Sequence, residues 1–405
     1  MRKPELDIIL TSMIEAYNGV SDVVFSVGRP LQVEAFGELK PITIHPDLQN
    51  LTARQTETVA LNIMNGNRRL IREYLTLGSC DCSYAVNDRM RFRVNIFRQR
   101  GNFGIVMRKA QTDIPSIGSL GLSPIFHKLS HEKNGLILVT GATGSGKTTT
   151  LAAVLNDINE NKAVHVVTLE DPIEFVHPHK KATFSQRELG QDYDDFPSGL
   201  RAALRQAPKV ILVGEMRDRR TVEIALTAAE TGHLVLSTLH TIDAGQSINR
   251  ILGMFDNAEE AQVRQRLADT IRYVVSQRLA PKKAGNGRVL LTEVMGSNLR
   301  VREAIALGEG ENRSFYDIID SNYTFGWTTF DQSIMRAYEA ELLSEETALL
   351  YSTRKGKLTQ AIDGIKKQKG LLEEKASGLR LDLPEKKIAK PPPFAAPEPR
   401  VSGTH

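Results

Sequence analysis

The sequence predicts an α/β protein with a smaller α+β region in front, and three observations lead to this fold class. After about residue 117, short continuously apolar segments alternate with helical patterns, as in parallel sheets that are covered on both faces. A glycine-rich loop separates one of these strands from the helix that follows it. Before that point, short strands and helices are joined by turns.

Residues 1–112 are predicted to form the α+β domain. Residues 23–30 resemble a strand that ends in a turn, and residues 35–42 resemble a tight hairpin. The apolar residues between positions 51 and 61 have helical spacing. Further sheet strands are predicted at residues 84–86, 91–97 and 103–108.

Residues 113–353 are predicted to form a doubly wound α/β domain, reached through a linker at residues 111–116. The segment between residues 219 and 231 has its apolar side chains at the spacing of one buried helix face. Buried parallel strands read as apolar throughout. They are predicted at residues 136–140, 164–169, 210–213 and 234–236.

Charge is distributed unevenly over the 405 residues, which hold 52 Lys and Arg against 48 Asp and Glu. Residues 354–390 carry a net charge of +6, so residues 1–353 carry −2. A near-neutral body does not indicate a nucleic-acid-binding core. Residues 354–405 are predicted to be a Lys-rich and then Pro-rich tail, disordered from about residue 380. A short solvated helix is expected at residues 366–376.

Composition excludes several other classes. No apolar run approaches the roughly 18 residues that a membrane-spanning helix needs. Acidic residues precede any apolar stretch at the start, so no signal peptide is expected. Cys80 and Cys82 are the only cysteines. Two thiols do not complete a four-ligand zinc site, so both are expected to be reduced.

A phosphate-binding loop is the strongest motif. It matches the pattern G-x-x-x-x-G-K-[ST] between an apolar strand and a helix. Glycines let backbone N–H groups turn toward phosphate oxygens, and the helix N-terminus adds its dipole. Lys147 is expected to reach the β- and γ-phosphates of ATP, and Thr148 to ligate Mg²⁺. The predicted nucleotide-binding residues are Gly141, Ala142, Thr143, Gly144, Ser145, Gly146, Lys147, Thr148 and Thr149.

Acidic residues follow two of the predicted parallel strands. Glu170 and Asp171 come after one strand, and Glu215 comes after another. Carboxyl ends of parallel strands line the ligand crevice, so these carboxylates are expected to face the nucleotide. Gly214 stands where an Asp is usual, which makes Glu215 the candidate general base. The alternative for each acid is a helix cap or a solvated turn, and Asp171 before Pro172 fits a turn well.

His233 and His240 flank one apolar strand and lie seven residues apart. On an ideal strand they would face opposite sides, which disfavours a joint metal site. A packed, hydrogen-bonded histidine is the alternative interpretation of each.

Three segments around the predicted strand ends form a recognisable set of motifs. They are residues 168–177 (Thr-Leu-Glu-Asp-Pro-Ile-Glu-Phe-Val-His), 210–218 (Val-Ile-Leu-Val-Gly-Glu-Met-Arg-Asp) and 231–241 (Thr-Gly-His-Leu-Val-Leu-Ser-Thr-Leu-His-Thr). These segments resemble the Asp box, Walker B and His box of the secretion ATPase superfamily. Within that superfamily the chain resembles the type IV pilus retraction motors of the PilT/PilU type over roughly residues 5–350.

The resemblance implies a homohexameric ring ATPase with a PAS-like N-terminal domain, a RecA-like C-terminal domain and ATP between them. It implies that Glu215 is the catalytic glutamate and that Glu170 helps to order Mg²⁺ and water. His233 and His240 would couple the nucleotide state to neighbouring groups. Arg93 and Arg108 match N-domain arginines that reach the γ-phosphate, where a guanidinium stabilises the charge of phosphoryl transfer. The alternative for both arginines is a solvated strand face.

The resemblance also implies partners and a location. The motor would work in the cytoplasm, at the cytoplasmic face of the inner membrane, through a membrane platform protein that handles pilin subunits. Paralogous pilus ATPases are further expected partners. Residues 299–305 only partly match the C-terminal signature of retraction motors, which leaves an accessory motor as an alternative.

Sequence features disfavour three other functions. Assembly and type II secretion ATPases commonly carry a four-cysteine zinc knuckle, which two cysteines cannot supply. A RecA-like nucleic-acid translocase is disfavoured by the near-neutral body and by the lack of an aromatic stacking platform. A nucleotide-gated scaffold without turnover is disfavoured by the presence of Lys147, Thr148 and Glu215.

Overall fold

The computed structural model describes residues 3–44, 49–87, 90–110, 113–285, 287–310 and 313–368. The disordered segment expected from residue 380 lies outside these residues, as does most of the helix expected at residues 366–376. Among the described residues, none of the helices combines the length and the apolar character needed to cross a membrane.

The first part of the chain forms a six-stranded antiparallel sheet in the order β3-β2-β1-β6-β5-β4. Three helices pack on it and enclose a hydrophobic core that includes Phe25, Phe92 and Met107. Its elements are α1 (Lys3–Glu15), β1 (Val20–Phe25), β2 (Leu31–Ala35), β3 (Glu38–Ile42), α2 (Ala53–Met64), α3 (Arg68–Leu77), β4 (Ser79–Asn87), β5 (Met90–Gln99) and β6 (Asn102–Lys109).

The expected hairpin at residues 35–42 is formed by β2 and β3. Phe36 and Gly37 connect the strands, and both have a positive φ, of 57° and 82°. Two successive residues with positive φ match the twist of the flanking strands, which is why two-residue hairpin loops favour this geometry. Helices α1 and α3 were not predicted, although Asn67 caps the start of α3 and Gly78 follows its end.

A second, seven-stranded sheet follows in the order β13-β12-β7-β11-β10-β8-β9. Its strands are parallel except for β13, which pairs antiparallel with β12. Residues of β7, β10 and β11 are buried along their whole length, as strands covered on both faces should be. The strands are β7 (Gly135–Thr140), β8 (His165–Glu170), β9 (Thr183–Glu188), β10 (Val210–Val213), β11 (Leu234–Leu239), β12 (Ile271–Pro281) and β13 (Arg288–Gly296).

The four buried strands predicted for this sheet are confirmed as β7, β8, β10 and β11, whereas β9, β12 and β13 were not predicted. Side-chain caps set where several helices begin; the carboxylates of Asp195, Asp218 and Asp243 each accept a backbone N–H three residues on. The helices are α4 (Ile125–His131), α5 (Lys147–Asn161), α6 (Phe196–Ala203), α7 (Arg219–Glu230), α8 (Ala244–Leu252), α9 (Asn257–Thr270), α10 (Leu299–Leu307), α11 (Phe315–Ser321), α12 (Phe330–Glu339), α13 (Glu345–Tyr351) and α14 (Lys355–Gln368).

The two thiols should resist alkylation in the folded protein. Cys80 and Cys82 are free and buried on β4. Burial, aided by the nearby carboxylates of Glu73 and Asp81, raises the pKa of Cys80 to about 11, and burial raises the pKa of Cys82 to about 12. Because the thiolate is the reactive form, we expect iodoacetamide at pH 8 to label the native chain at least ~100-fold more slowly than the urea-unfolded chain. Intact mass measures this, and rapid native labelling of either thiol would contradict it.

Candidate active site

The loop between β7 and α5 has the backbone geometry of a phosphate cradle. Gly141, Gly144 and Gly146 all have positive φ, of 146°, 77° and 92°. Residues other than glycine adopt these values with strain. At Gly141 a Cβ would also lie 2.5 Å from the Gln277 carbonyl oxygen. The glycines therefore permit both the turn and its close packing on β12.

Lys147 begins α5 and is buried at the base of this loop. Its Nζ donates to the carbonyl oxygens of Gly141 and Ala142, at 2.8 and 3.1 Å. Burial lowers the pKa of Lys147, and the negative charge of Glu215 offsets only part of this shift. The ammonium is thus held in the loop, next to the backbone groups that would surround a phosphate.

The loop opens into a cleft of about 690 Å³ that lies beside the carboxyl ends of the sheet strands. Residues 143–152 line one side, and Glu170 and Glu215 line another. Ser145 also lines the cleft, and its buried Oγ has no hydrogen-bond partner in the described part of the chain. Buried polar atoms are normally paired. A phosphate oxygen would supply the missing partner, so the cleft fits a nucleotide.

Glu170 ends β8 and is buried beneath the cleft. Its Oε1 accepts hydrogen bonds from Thr168 Oγ1, at 2.6 Å, and from Gln186 Nε2, at 3.1 Å. Burial raises the pKa of Glu170 to about 7, although these two hydrogen bonds oppose the shift. The carboxyl is therefore fixed in position and can carry a proton or a negative charge near neutral pH.

Glu215 follows β10 and lies between two basic side chains. Arg217 Nε donates to its Oε2 at 2.8 Å, and His240 Nε2 lies 3.4 Å from its Oε1. All three residues line the cleft. The carboxylate is thus held at the cleft wall in a position from which it could accept a proton from water.

Close backbone packing explains why a glycine and not an Asp stands at the end of β10. A Cβ at this position would lie 3.1 Å from the Leu169 carbonyl oxygen and 3.5 Å from the Glu170 Cα. The backbone of Gly214 is also fixed by a hydrogen bond from its N–H to Leu169, at 2.8 Å. The close approach of β10 to the end of β8 therefore leaves little room for a side chain at this position.

The two predicted histidines lie at opposite ends of β11. His240 follows the carboxyl end and contacts Glu215, as described above. His233 precedes the other end, where its Nδ1 lies 2.9 Å from the Ala228 carbonyl oxygen. A six-residue strand separates the two by roughly 20 Å. His233 therefore does not reach the cleft of its own chain.

The two predicted arginines lie on the first sheet, outside the cleft. Arg93 on β5 pairs in register with Arg108 on β6, and both are exposed. Arg108 Nε donates to the buried carboxylate of Asp22 at 2.8 Å. The structure thus brings the arginines together with each other but not with Lys147, Glu170 or Glu215.

Two residues were not predicted as site residues: Gln186, which lies beside the cleft, and His177, which lines it. Gln186 on β9 bonds to Glu170, and its neighbour in space, His177, lines the cleft with its ring stacked on Phe184 at 4.7 Å. Burial lowers the pKa of His177 to about 4, so the ring is neutral at pH 7. Phe184 is the one apolar residue of β9, so the sequence carries no alternating apolar signal for this strand.

The fold and the site together define a P-loop ATPase on a RecA-like parallel sheet: a strand, a phosphate loop and a helix, with acids at the ends of neighbouring strands. Residues 81–325 match the family described as Type II/IV secretion system protein, which is more than half of the chain, and the protein belongs to that family.

Two curated relatives and one solved structure are similar along almost their whole length. The type IV pilus retraction ATPase PilT of Pseudomonas aeruginosa is 39% identical over 343 residues, covering 85% of this chain and 97% of that protein. The type IV pilus ATPase PilU of the same organism is 34% identical over 380 residues, covering 94% of this chain and 97% of that protein. A crystal structure of the pilus retraction motor PilT with bound ADP has a TM-score of 0.76 and 39% identity, covering 89% of this chain and 99% of that one. These likenesses confirm the α/β fold class and the interpretation of the chain as a nucleotide-binding ATPase.

Proposed function

We propose that this chain is a motor that couples ATP hydrolysis to retraction of a type IV pilus. The observation that carries the proposal is the convergence of Lys147, Glu170 and Glu215 on one cleft, in a chain whose likeness to PilT extends over 97% of that protein. Binding residues and acids are both present, so turnover and not only nucleotide binding is expected.

In the proposed mechanism each group has one task. The loop N–H groups and Lys147 hold the phosphates of ATP, and Thr148 at the start of α5 would hold Mg²⁺. Mg²⁺ would neutralise charge that develops on the transferred phosphoryl group. Glu215 accepts a proton from the attacking water, and Glu170 would help to hold Mg²⁺ through water. His240 orients Glu215 through their contact at 3.4 Å.

The arginines and His233 are assigned to contacts that one chain does not make by itself. We propose that the chains assemble into a homohexameric ring, in which Arg93 and Arg108 of the first sheet approach a γ-phosphate and His233 senses a neighbouring group. An exposed arginine pair on a movable domain would make hydrolysis depend on closure. The ring would act in the cytoplasm, at the face of the inner membrane, on a platform protein of the pilus and beside paralogous pilus ATPases.

Counting surface pili tests the direction of this motor. The gene is deleted in the host that carries it, and restored as wild type or as the variant Glu215→Gln. A retraction motor leaves cells with many pili and no twitching, and the variant fails to restore movement. Bald cells after deletion would contradict retraction and support an assembly or type II secretion ATPase instead.

An accessory motor is the second candidate, because the match to PilU covers 94% of this chain. The two candidates differ in whether they need a second pilus ATPase to restore twitching. A principal motor restores twitching when it is the sole pilus-retraction ATPase of the cell, whereas an accessory motor restores it only beside its paralogue. A RecA-like nucleic-acid translocase would instead show ATPase stimulation by DNA or RNA, which this proposal does not expect.

The tail should be dispensable for turnover. Residues 380–405 are rich in proline and poor in apolar side chains, so they cannot bury much surface. We expect a chain that ends at residue 379 to keep its oligomeric size in gel filtration and its ATPase rate within about twofold of the full chain. Loss of the oligomer on truncation would contradict this prediction.

A further inference from the structure

One strand face beside the cleft has no assigned task in the mechanism above. β9 is the edge strand of the second sheet and pairs in parallel with β8 alone among the described strands. Gln186 lies opposite Thr168, and Glu188 lies opposite Glu170. Residues i and i+2 point to the same face of a strand, so Gln186 and Glu188 share the face on which Glu170 lies.

The amide of Gln186 is almost fully used in hydrogen bonds. Its Nε2 donates to Glu170 Oε1 at 3.1 Å and to the Phe175 carbonyl oxygen at 2.8 Å. Its Oε1 accepts from the His177 N–H at 2.7 Å. One planar group therefore joins the Glu170 carboxylate to the segment 171–177, called here the pocket loop.

Glu188 tethers the same pocket loop at its other end. Its Oε2 accepts from the Ile173 N–H at 3.3 Å. The N–H of Glu174 in turn bonds to the carboxylate of Glu170. The pocket loop lacks a strand or helix of its own over residues 171–174, so these side-chain bonds take the place of a backbone ladder in fixing it.

We propose that Gln186 is a positioning residue for ATP turnover, which holds Glu170 and the pocket loop in the single geometry that the reaction uses. The inference rests on the proposed role of Glu170. It does not touch the phosphate loop, because Gln186 makes no contact with Lys147 or Thr148 among the bonds described. Gln186 should therefore affect the rate of the chemical step and not the affinity for nucleotide.

Two variants distinguish the hydrogen-bond donor of the Gln186 amide from its acceptor. Gln186→Met has similar size but makes none of the three bonds. Gln186→Glu keeps an acceptor for the His177 N–H and replaces the donor that faces Glu170. Each is compared with Gln265→Met, an exposed glutamine on α9 that bonds to Asp269 at 3.0 Å, and with Glu215→Gln as the inactive reference.

Three measurements on the full chain are needed: kcat for ATP hydrolysis, the dissociation constant of a fluorescent ADP analogue, and hydrogen exchange of the pocket loop. We expect kcat to fall about tenfold in both Gln186 variants, as for one lost hydrogen bond, with ADP affinity within about twofold of wild type. The His177 amide should exchange about tenfold faster in Gln186→Met and at the wild-type rate in Gln186→Glu.

The outcomes are distinct. The inference is overturned if Gln186→Glu keeps the wild-type kcat. It is also overturned if kcat and ADP affinity fall equally in both variants, because an equal loss indicates a general structural defect. If Gln186→Met fails to fold, Gln186→Glu decides alone. The proposed function fails separately, when the wild-type chain itself neither binds ADP nor hydrolyses ATP.

Discussion

Replacing Glu215 by Gln should abolish ATP turnover and leave nucleotide binding intact. The carboxylate lies on the cleft wall, bonded to Arg217 at 2.8 Å and near His240 at 3.4 Å. Glutamine has the same shape but cannot accept a proton from the attacking water. General-base catalysis contributes roughly 10²–10⁴-fold, so kcat should fall by about that factor. Steady-state ATPase assays measure the rate, and a fluorescent ADP analogue measures binding.

A matched variant distinguishes the site from a general effect of lost charge. Glu230→Gln makes the same substitution on α7, where Glu230 pairs with Arg266 at 2.6 Å far from the cleft residues. Its kcat should stay within about twofold of wild type, because such a surface pair contributes little to stability. Unchanged kcat in Glu215→Gln would remove Glu215 as the base and leave Glu170 as the remaining candidate.

The sequence was sufficient for the phosphate loop because its chemistry is local. The glycines and Lys147 lie within seven residues, and each is needed for a backbone turn or a charge at that place. The convergence of Glu170 and Glu215 was also predictable, since parallel strands present their carboxyl ends at one edge of the sheet. Strand β10 was predicted with both of its ends correct.

Contacts between distant segments were not predictable in the same way. Gln186 reaches Glu170 from an edge strand that is polar at most positions and therefore carries no apolar signature. Arg91 reaches Glu188 across 97 residues of chain. Such pairs depend on how the first sheet packs against the second, and neither spacing nor hydropathy encodes that packing. The arginines and His233 raise the same problem, because their proposed partners belong to neighbouring chains.

Removing the guanidinium of Arg91 should destabilise the junction between the two sheets. Arg91 Nη2 donates to Glu188 Oε2 and to Ser83 Oγ, both at 2.8 Å. The Glu188 side chain is only 3% exposed. Arg91→Met would leave that carboxylate buried without its counter-charge. Such a change lowers the free energy of unfolding by about 3 kcal/mol or slightly more. For a chain of this size we expect Tm to fall by roughly 3–4 °C, measured by scanning fluorimetry.

The double variant separates the buried charge from the lost packing. In Arg91→Met with Glu188→Gln the carboxylate is gone, and the amide oxygen can still accept from the Ile173 N–H, which bonds to Glu188 in the wild type. Most of the lost Tm should therefore return, since replacing both members of a buried pair is often near neutral. Glu223→Gln, which neutralises the acid of an exposed pair with Arg219, should hardly change Tm. If the double variant melts no higher than Arg91→Met, then Arg91 stabilises the junction by packing, and the ion pair is not what joins the first sheet to the wall of the cleft.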